Sequence, residues 1–534
     1  MGRTFSLGPD IGPEHGARPA GSPAWSPAFT LTEGAVAPYV RITIQISFSA
    51  WWKLAEWKPA SWKRCRADPP LERLAAVTVE DVTIAELVDA LPAGVVVTDP
   101  DLLDKYRRDR AADPLAGQPL AAVRAESTEH VQIAVRWAAR HRVAVVPRGA
   151  GTGLSGGSTA VTGGIVLSTE RMRAIHVDPL TRMAVVQPGL LNAEVKAAAA
   201  AHGLWYPPDP SSFEICSIGG NVATNAGGLC CVKYGVTTDY VLGLEVVLAD
   251  GRAVRLGGPR LKDVAGLSLT KLFVGSEGTL GIVTEATLRL IPAQPPSSTL
   301  VATFPTTEAA TAAILAITSA IRPAMLEFMD QTSINAVEDV LRMGLDRDAA
   351  ALLVARSDSQ HLAAEREMKI MLDACVASGA TETLVTDDPD EGEAFVAARR
   401  AAIPAVERHG ALLLEDVGVP LPRLPELVQG IETIAADRAL TIALIAHAGD
   451  GNTHPLIVFD PADADMAQRA ELAFGEVMDL AIKLDGTITG EHGVGRLKKA
   501  WLPDQLGPEV MELSLRIKRA LDPLGILNPG AVFP

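Results

Sequence analysis

The sequence predicts an α+β protein with two ordered parts behind an unlike N-terminal extension. Three observations carry that reading. A helical pattern feeds a short apolar strand that opens into a glycine-rich loop, Arg142-Val-Ala-Val-Val-Pro-Arg-Gly-Ala-Gly-Thr-Gly-Leu-Ser-Gly-Gly157. Two more segments rich in glycine, Ser217–Gly228 and Gly275–Glu285, come after stretches of alternating secondary structure. From residue 297 onward strand-like runs alternate with longer helical patterns, as expected for an antiparallel sheet layered with helices.

The 534 residues suffice for two or three domains. A formal charge of −16 argues against nucleic acid or an anionic membrane surface as the main partner. No apolar run has the length needed to span a bilayer. The five cysteines, Cys65, Cys216, Cys230, Cys231 and Cys375, are odd in number and lack metal-type C-x-x-C spacing. They fit free thiols in a reducing compartment, hence a cytoplasmic protein, with peripheral membrane association left open.

Residues 1–75 differ from the rest. They hold five of the eight tryptophans amid Pro, Ser and Gly, without a signal peptide's charged and apolar regions. Disorder or loose packing is expected there, and translation starting downstream is the simplest account. Regular patterning begins near Val77: a helix over Thr83–Leu91, a strand over Val95–Thr98, then a helix capped by Ser127 with Val131, Ala134, Val135 and Ala138 at helical spacing. The apolar run Val143–Val146 reads as a buried strand that Pro147 ends. Strands are expected next at Gly164–Ser168 and Met183–Val186, an alanine-rich helix at Leu191–His202, and a proline-rich turn at Tyr206–Pro210. Tyr240–Asp250 is strand-like with an Asp250-Gly251 hairpin turn, and the cluster Pro292–Pro296 marks a boundary. Beyond it, strands are expected at Ser298–Phe304, Ala350–Ala355, Leu412–Val417, Ile442–Ala446 and Pro455–Phe459. Helices are expected at Thr307–Ala320, Ser359–Val376, Leu424–Arg438, Asp465–Lys483 and Leu515–Ala520.

The glycines of the first loop let the backbone come close to a ligand, and successive N–H groups form a nest for an anion. This reads as a diphosphate cradle. Gly151-Thr-Gly-Leu-Ser-Gly156 matches G-x-G-x-x-G, but the next residues, Gly157–Gly164, are too glycine-rich to be the helix a Rossmann turn requires. The loop has no Gly-Lys-Ser/Thr after it, which excludes a P-loop. Two glycine- and hydroxyl-rich segments suggest one long polar ligand lying between them.

Pro147–Gly157 resembles the FAD-diphosphate loop of the vanillyl-alcohol-oxidase/p-cresol-methylhydroxylase (PCMH-type) flavoproteins, and among them the FAD-linked D-2-hydroxyacid dehydrogenases. The likeness runs from about residue 80 to the C-terminus and includes Tyr106-Arg-Arg-Asp109. It implies a two-subdomain FAD-binding domain over 76–295, an α+β cap carrying substrate and metal over 296–500, and a segment over 501–534 that returns to the first domain. It implies cofactor contacts from Pro147, Arg148, Gly149, Ala150, Gly151, Thr152, Gly153, Leu154, Ser155 and Gly156 in the first loop. Further contacts are implied from Pro208, Asp209, Ser217, Gly220, Asn221, Thr224, Asn225 and Gly228, then Glu277, Gly281, Ile282 and Asn528. No histidine or cysteine falls in the diphosphate loop, so FAD is expected to be non-covalent.

The second informative stretch is His447-Ala-Gly-Asp-Gly-Asn-Thr-His454, with Thr489-Gly-Glu-His-Gly-Val-Gly495 some thirty residues later. Two imidazoles and a carboxylate suit a borderline-soft divalent ion, Zn²⁺ or Mn²⁺. The His-x-Gly-Asp-Gly-Asn-x-His pattern is similar to that of the same flavoproteins. Carried over, His447, His454 and Glu491 are metal ligands and His492 is the catalytic base. Asp450 and Asn452 orient the loop, with Asn452 close to substrate. Arg399-Arg400 resembles the family's substrate-arginine segment, Arg399 being the first choice and Arg400 the second.

These resemblances imply oxidation of a small D-2-hydroxy acid by hydride transfer to flavin N5. Leu414 and Leu456 stand where the 2-hydroxyglutarate enzymes carry a lysine and a polar residue, which favours D-lactate or glycolate. The electron acceptor is open between a quinone, a cytochrome and an electron-transfer flavoprotein, and a homodimer is equally open. Two other readings stand beside this one: the FAD-carrying subunit of a glycolate-oxidase-like complex, and a non-redox enzyme like alkylglycerone-phosphate synthase. The complete metal and base set argues against the latter.

Overall fold

The computed structural model describes residues 84–111, 113 and 115–533. The N-terminal extension, Cys65 and the first residue of the Thr83 helix lie outside the described residues. Val77–Pro534 forms one compact unit.

Residues 84–292 build two larger sheets and a separate two-stranded pair. The first takes β1 (Val96–Val97), β2 (Ala121–Arg124), β3 (Val145–Arg148) and β4 (Ile165–Ser168) in the order β1-β2-β4-β3. β2, β4 and β3 run parallel and β1 antiparallel. Next come β5 (Ile175–Asp178), β6 (Met183–Val186), β7 (Leu204–Trp205), β8 (Val241–Val247), β9 (Ala253–Gly257), β10 (Ile282–Arg289) and β11 (Ile291–Pro292). β5-β6-β10-β8-β9 make an antiparallel sheet, while β7 pairs with β11. The Asp250-Gly251 turn joins β8 to β9 as expected.

The helix Thr128–His141 delivers the chain to β3. Ser127 Oγ accepts from His130 N at 3.3 Å, and Arg142 ends the helix in the left-handed region. Such a cap stabilises a helix by about 1 kcal/mol. Its predicted apolar stripe is buried together with Trp137. Two details differ from expectation. Pro147 does not end β3, which continues to Arg148. β3 is the outermost strand of its sheet, and a proline is tolerated at an edge. Ser217–Gly228 is not wholly loop, since Ile218–Thr224 is a short helix capped by Ser217 Oγ on Gly220 N. The glycines within it masked the helical signal.

The C-terminal segment hydrogen-bonds to the edge strand of the first sheet. Val145 N donates to Ile526 O and Asn528 N to Val145 O, both at 2.8 Å. The helix before it spans Leu502–Leu521, well beyond the predicted Leu515–Ala520. Gly507, at φ 75°, and Pro508 kink its first half and broke the pattern in sequence.

Residues 298–459 form an eight-stranded antiparallel sheet. Its strands are β12 (Ser298–Phe304), β13 (Met325–Asp330), β14 (Ala351–Ser357), β15 (Glu382–Thr386), β16 (Ala411–Leu414), β17 (Val417–Gly418), β18 (Thr441–His447) and β19 (Asn452–Phe459). The order is β15-β12-β14-β13-β18-β19-β16, with β17 also on β19. One face packs Phe304, Leu326, Phe328 and Leu444 against the helices Thr307–Ala320, Leu362–Ala377, Leu424–Arg438 and Ala464–Lys483. The other packs Met325, Met329, Ile445 and Leu456 with Leu229 from the first half of the chain. That face therefore looks toward the glycine-rich segments. β13 and β15 were not expected: Glu327 interrupts the apolar run of β13, and β15 is an edge whose Leu384 and Val385 are exposed.

Candidate active site

The loop after β3 opens one wall of a cavity of about 340 Å³ between the two halves of the unit. Pro147 to Ser155 line it without a break. Glycine is needed at particular points. A Cβ on Gly149 would lie 2.3 Å from Ser217 Oγ, and one on Gly151, at φ +74°, would meet the Arg148 guanidinium at 2.1 Å. Ser217 Oγ ties the two segments together by accepting from Ala150 N at 3.2 Å and Gly220 N at 3.3 Å. Asp109 sits behind the loop, accepting from Ala111 N and Ser158 N; burial raises its carboxyl to about 6. Ser155 Oγ is buried without a protein partner.

The opposite wall comes from the eight-stranded sheet. β18 and β19 pair so that Ile445 faces His454 and His447 faces Asn452. This register brings both histidines toward the turn that carries Glu491. His447 Nε2 lies 2.9 Å and His454 Nε2 3.2 Å from Glu491 Oε1. Across the next ladder Glu327 stands directly opposite His447 and holds its Nδ1 at 2.9 and 3.0 Å. Burial alone would depress His447, but the carboxylates of Glu327 and Glu491 outweigh it and leave the imidazole well above its ordinary value. Burial would likewise raise Glu491, and the two histidines hold it well below instead.

The turn itself hangs on Asp416. Its Oδ2 accepts from Thr489 Oγ1 at 2.6 Å and from the backbone N–H groups of Gly490, Glu491 and His492 at 2.9–3.0 Å. Burial opposes ionisation of Asp416, but His492, Lys498 and His454 hold its carboxyl far below the usual range. His492 stacks on His454 with ring centroids 4.8 Å apart and planes 14° apart. Burial pushes His492 down to about 4, so its imidazole is neutral at ordinary pH.

Two family models match this chain: "FAD binding domain" over residues 119–257 and "FAD linked oxidases, C-terminal domain" over residues 294–532. The glycolate oxidase subunit GlcD of Bacillus subtilis is 43% identical over 418 residues, covering 78% of this chain and 89% of that protein. The D-lactate dehydrogenase of Archaeoglobus fulgidus is 35% identical over 453 residues, covering 83% and 98%. The chain belongs to the FAD-linked oxidases. In fold it resembles 4-ethylphenol oxidase from Gulosibacter chungangensis, with a TM-score of 0.71 at 19% identity over 84% of this chain and 96% of that one. The architecture is thus the PCMH-type FAD-binding fold.

Within this flavoprotein most of the expected site residues meet. Besides the loop, Ser217, Gly220, Asn221, Thr224, Glu277, Gly281, Ile282, Arg399, Arg400, His454, Glu491 and His492 line the cavity. The cradle fits FAD, because Gly149 leaves no room for a side chain and Ser155 offers an unused hydroxyl.

The remaining expected contacts are outside the residues that line this cavity and are held by their neighbours. Gly156 takes a turn at φ +76°. Pro208 accepts from Asn192 through its carbonyl, and Asp209 accepts from Cys230 N. Asn225 closes the short helix and accepts from Thr238 N, while Gly228 packs on Asp209. Asn528 Nδ2 donates to Gly157 O and Glu277 O, clamping the C-terminus onto the loop. Glu277 borders the cavity, yet its carboxylate is occupied by Val494 N and Gly495 N. His447 and Asn452 line a second cavity on the far side of the cluster, with Glu491 shared between the two.

Arg399 and Arg400 separate clearly. Arg399 is 1% exposed, with Nη2 2.9 Å from Glu327 Oε2. That contact is off the line of a hydrogen bond, and Nε has no partner either. Arg400 is engaged by Glu393 at 2.9 Å, with Asp209 at 3.6 Å, and lies over the Phe213 ring. Glu327 and Asp416 were not singled out from sequence. The signal was there: a lone carboxylate in Met325-Leu-Glu-Phe-Met329 and a pair in Leu414-Glu-Asp-Val417 interrupt apolar strands, and buried charge of that kind needs a partner.

Proposed function

We propose that this flavoprotein oxidises a short D-2-hydroxy acid of the D-lactate or glycolate kind to the 2-oxo acid. The observation that carries the reading is that Arg399, His492 and the His454–Glu491 pair share the cavity opened by the glycine loop. When bound, FAD supplies the hydride acceptor at flavin N5. A divalent ion held by His447, His454 and Glu491 would supply a Lewis acid for the substrate hydroxyl. Three donors of that chemistry with their atoms inside a 4.8 Å span support Zn²⁺ or Mn²⁺.

The chain's own residues do the rest. The guanidinium of Arg399 receives the substrate carboxylate. Neutral His492 takes the hydroxyl proton as the α-hydrogen leaves with its electron pair. Ile403, Pro404 and Ile445 give the cavity an apolar lining that excludes water beside Arg399. Leu414 and Leu456, which stand opposite each other between β16 and β19, pack in one apolar cluster with Ile403 and Ile445 and offer no charge of their own to a second carboxylate. The diphosphate loop holds neither Cys nor His, which supports non-covalent FAD. The likeness to a glycolate oxidase subunit supports a second reading, in which this chain performs the same chemistry inside a larger assembly. Among the described residues no helix is long and apolar enough to cross a membrane.

Anaerobic flavin bleaching tests the proposal. D-lactate or glycolate should bleach the purified yellow protein, L-lactate should not, and chelation should abolish the response. A yellow protein bleached by no 2-hydroxy acid refutes it.

A further inference from the structure

Three buried polar atoms beside the proposed base have no protein partner: Asp416 Oδ1, His454 Nδ1 and His492 Nδ1. They are not scattered. His454 Nδ1 lies 3.7 Å from Asp416 Oδ1, and Asp416, His454 and His492 offer ligand atoms within 4.8 Å of one another. The two rings stack almost parallel, and a ring nitrogen of each lies within 4.8 Å of a carboxylate oxygen of Asp416. Such a gap is closed by a small shift or by one bridging water. The other oxygen of Asp416 is already saturated by Thr489 and three backbone N–H groups.

We infer that Asp416 is the positioning residue that keeps the proton on Nδ1 of both His454 and His492. This rests on the proposed roles of the two histidines. A histidine that binds a metal or takes a proton through Nε2 must carry its own proton on Nδ1. Asp416 Oδ1 is an unused acceptor 3.7 Å from His454 Nδ1 and beside the unpartnered Nδ1 of His492. One carboxylate thereby serves the metal ligand and the base together, while its second oxygen fixes the turn that presents Glu491 and His492.

Asp416→Asn separates positioning from scaffolding. The four donors on Oδ2 oblige the new amide to keep its oxygen there, so its NH₂ occupies the Oδ1 position. An N–H directed at Nδ1 forces the proton to Nε2 on each ring. The full chain is loaded with FAD, its histidines are labelled with ¹⁵N, and the ring signals are assigned from single His454 and His492 variants. In the wild type His492 should show the Nδ1–H tautomer before and after Zn²⁺ is added. In D416N it should show Nε2–H. Zn²⁺ affinity should fall about 10–100-fold, and substrate bleaching about 10³–10⁴-fold, the scale of a wrong-tautomer base.

A wild-type His492 protonated at Nε2 overturns the inference, and this needs no variant to fold. An unchanged tautomer in D416N overturns it too. So does elemental analysis showing two zinc ions per chain, which would make the three atoms a second cation site. If no hydroxy acid bleaches the wild type, the proposed function fails while the tautomer result still judges Asp416.

Discussion

Glu327 joins the proposed metal ligand to the proposed substrate arginine, and Glu327→Gln should disturb both. The glutamate holds His447 Nδ1 at 2.9 Å and lies 2.9 Å from Arg399 Nη2, with Glu327 and Arg399 each 1% exposed. Gln keeps the shape and an acceptor for His447 but removes the charge facing a guanidinium that water does not reach. Removing one partner of a buried pair costs about 3–5 kcal/mol. The thermal midpoint of the FAD-loaded chain should fall by about 3–5 °C. Zn²⁺ affinity should drop about 10–100-fold, because His447 loses its orienting carboxylate. The double variant E327Q/R399M decides between explanations. Its methionine side chain removes the stranded charge, so the thermal midpoint should recover most of the loss while Zn²⁺ affinity stays low. If E327Q and R399M simply add, or if E327Q melts within about a degree of the wild type, the Glu327–Arg399 coupling is not what holds this wall together.

Gly149→Ala places a Cβ 2.3 Å from Ser217 Oγ, so the protein should purify with most of its flavin lost, read from the ratio of flavin to protein absorbance. Full flavin content would mean that the two segments can part without cost. His492 is depressed to about 4 by burial, so its neutral form persists as pH falls and is lost only through about 4. Single-turnover flavin reduction by saturating D-lactate should therefore be flat from about pH 8 to 5, and an acidic limb near the ordinary histidine value of about 6.5 would contradict a buried base. Leu414 and Leu456 face each other across β16 and β19 and offer a second carboxylate no charge, and Arg400 is held by Glu393 and Asp209. D-2-hydroxyglutarate should therefore be at least about 100-fold poorer than D-lactate in kcat/KM, and equal values would refute the apolar assignment.

How much of this was legible in the sequence depends on how far apart in the chain each signal lies. β12, the helices Thr307–Ala320 and Leu424–Arg438, and the Ser127 cap fell where expected, because local periodicity and one capping side chain determine them. β15 escaped because an exposed edge strand buries little and carries no alternation. The cradle and the His-x-Gly-Asp-Gly-Asn-x-His stretch were legible because their chemistry is contiguous. Glu327 and Asp416 lie 120 and 38 residues from the histidines they serve, His447 and His454, so only strand register brings them together.

Several of the expected flavin contacts also support the loops around them, and the reason is physical. A sequence match locates a segment but does not say which side of it faces the cavity. Asn528 Nδ2, Asp209 Oδ1 and Asn225 Oδ1 each bond the backbone of a neighbouring segment. A wall of glycines cannot stiffen itself, since it has no side chains to pack. Polar residues just behind it must take up the carbonyls and amides that the turns leave free, or those buried groups would cost about 1–3 kcal/mol each. Asn528 shows the arrangement most directly. Its one amide group binds Gly157 O in the first glycine-rich segment and Glu277 O in the third, while its own backbone N–H holds the edge strand β3. The C-terminus is therefore part of the cradle even though Asn528 is not among the residues that line the cavity.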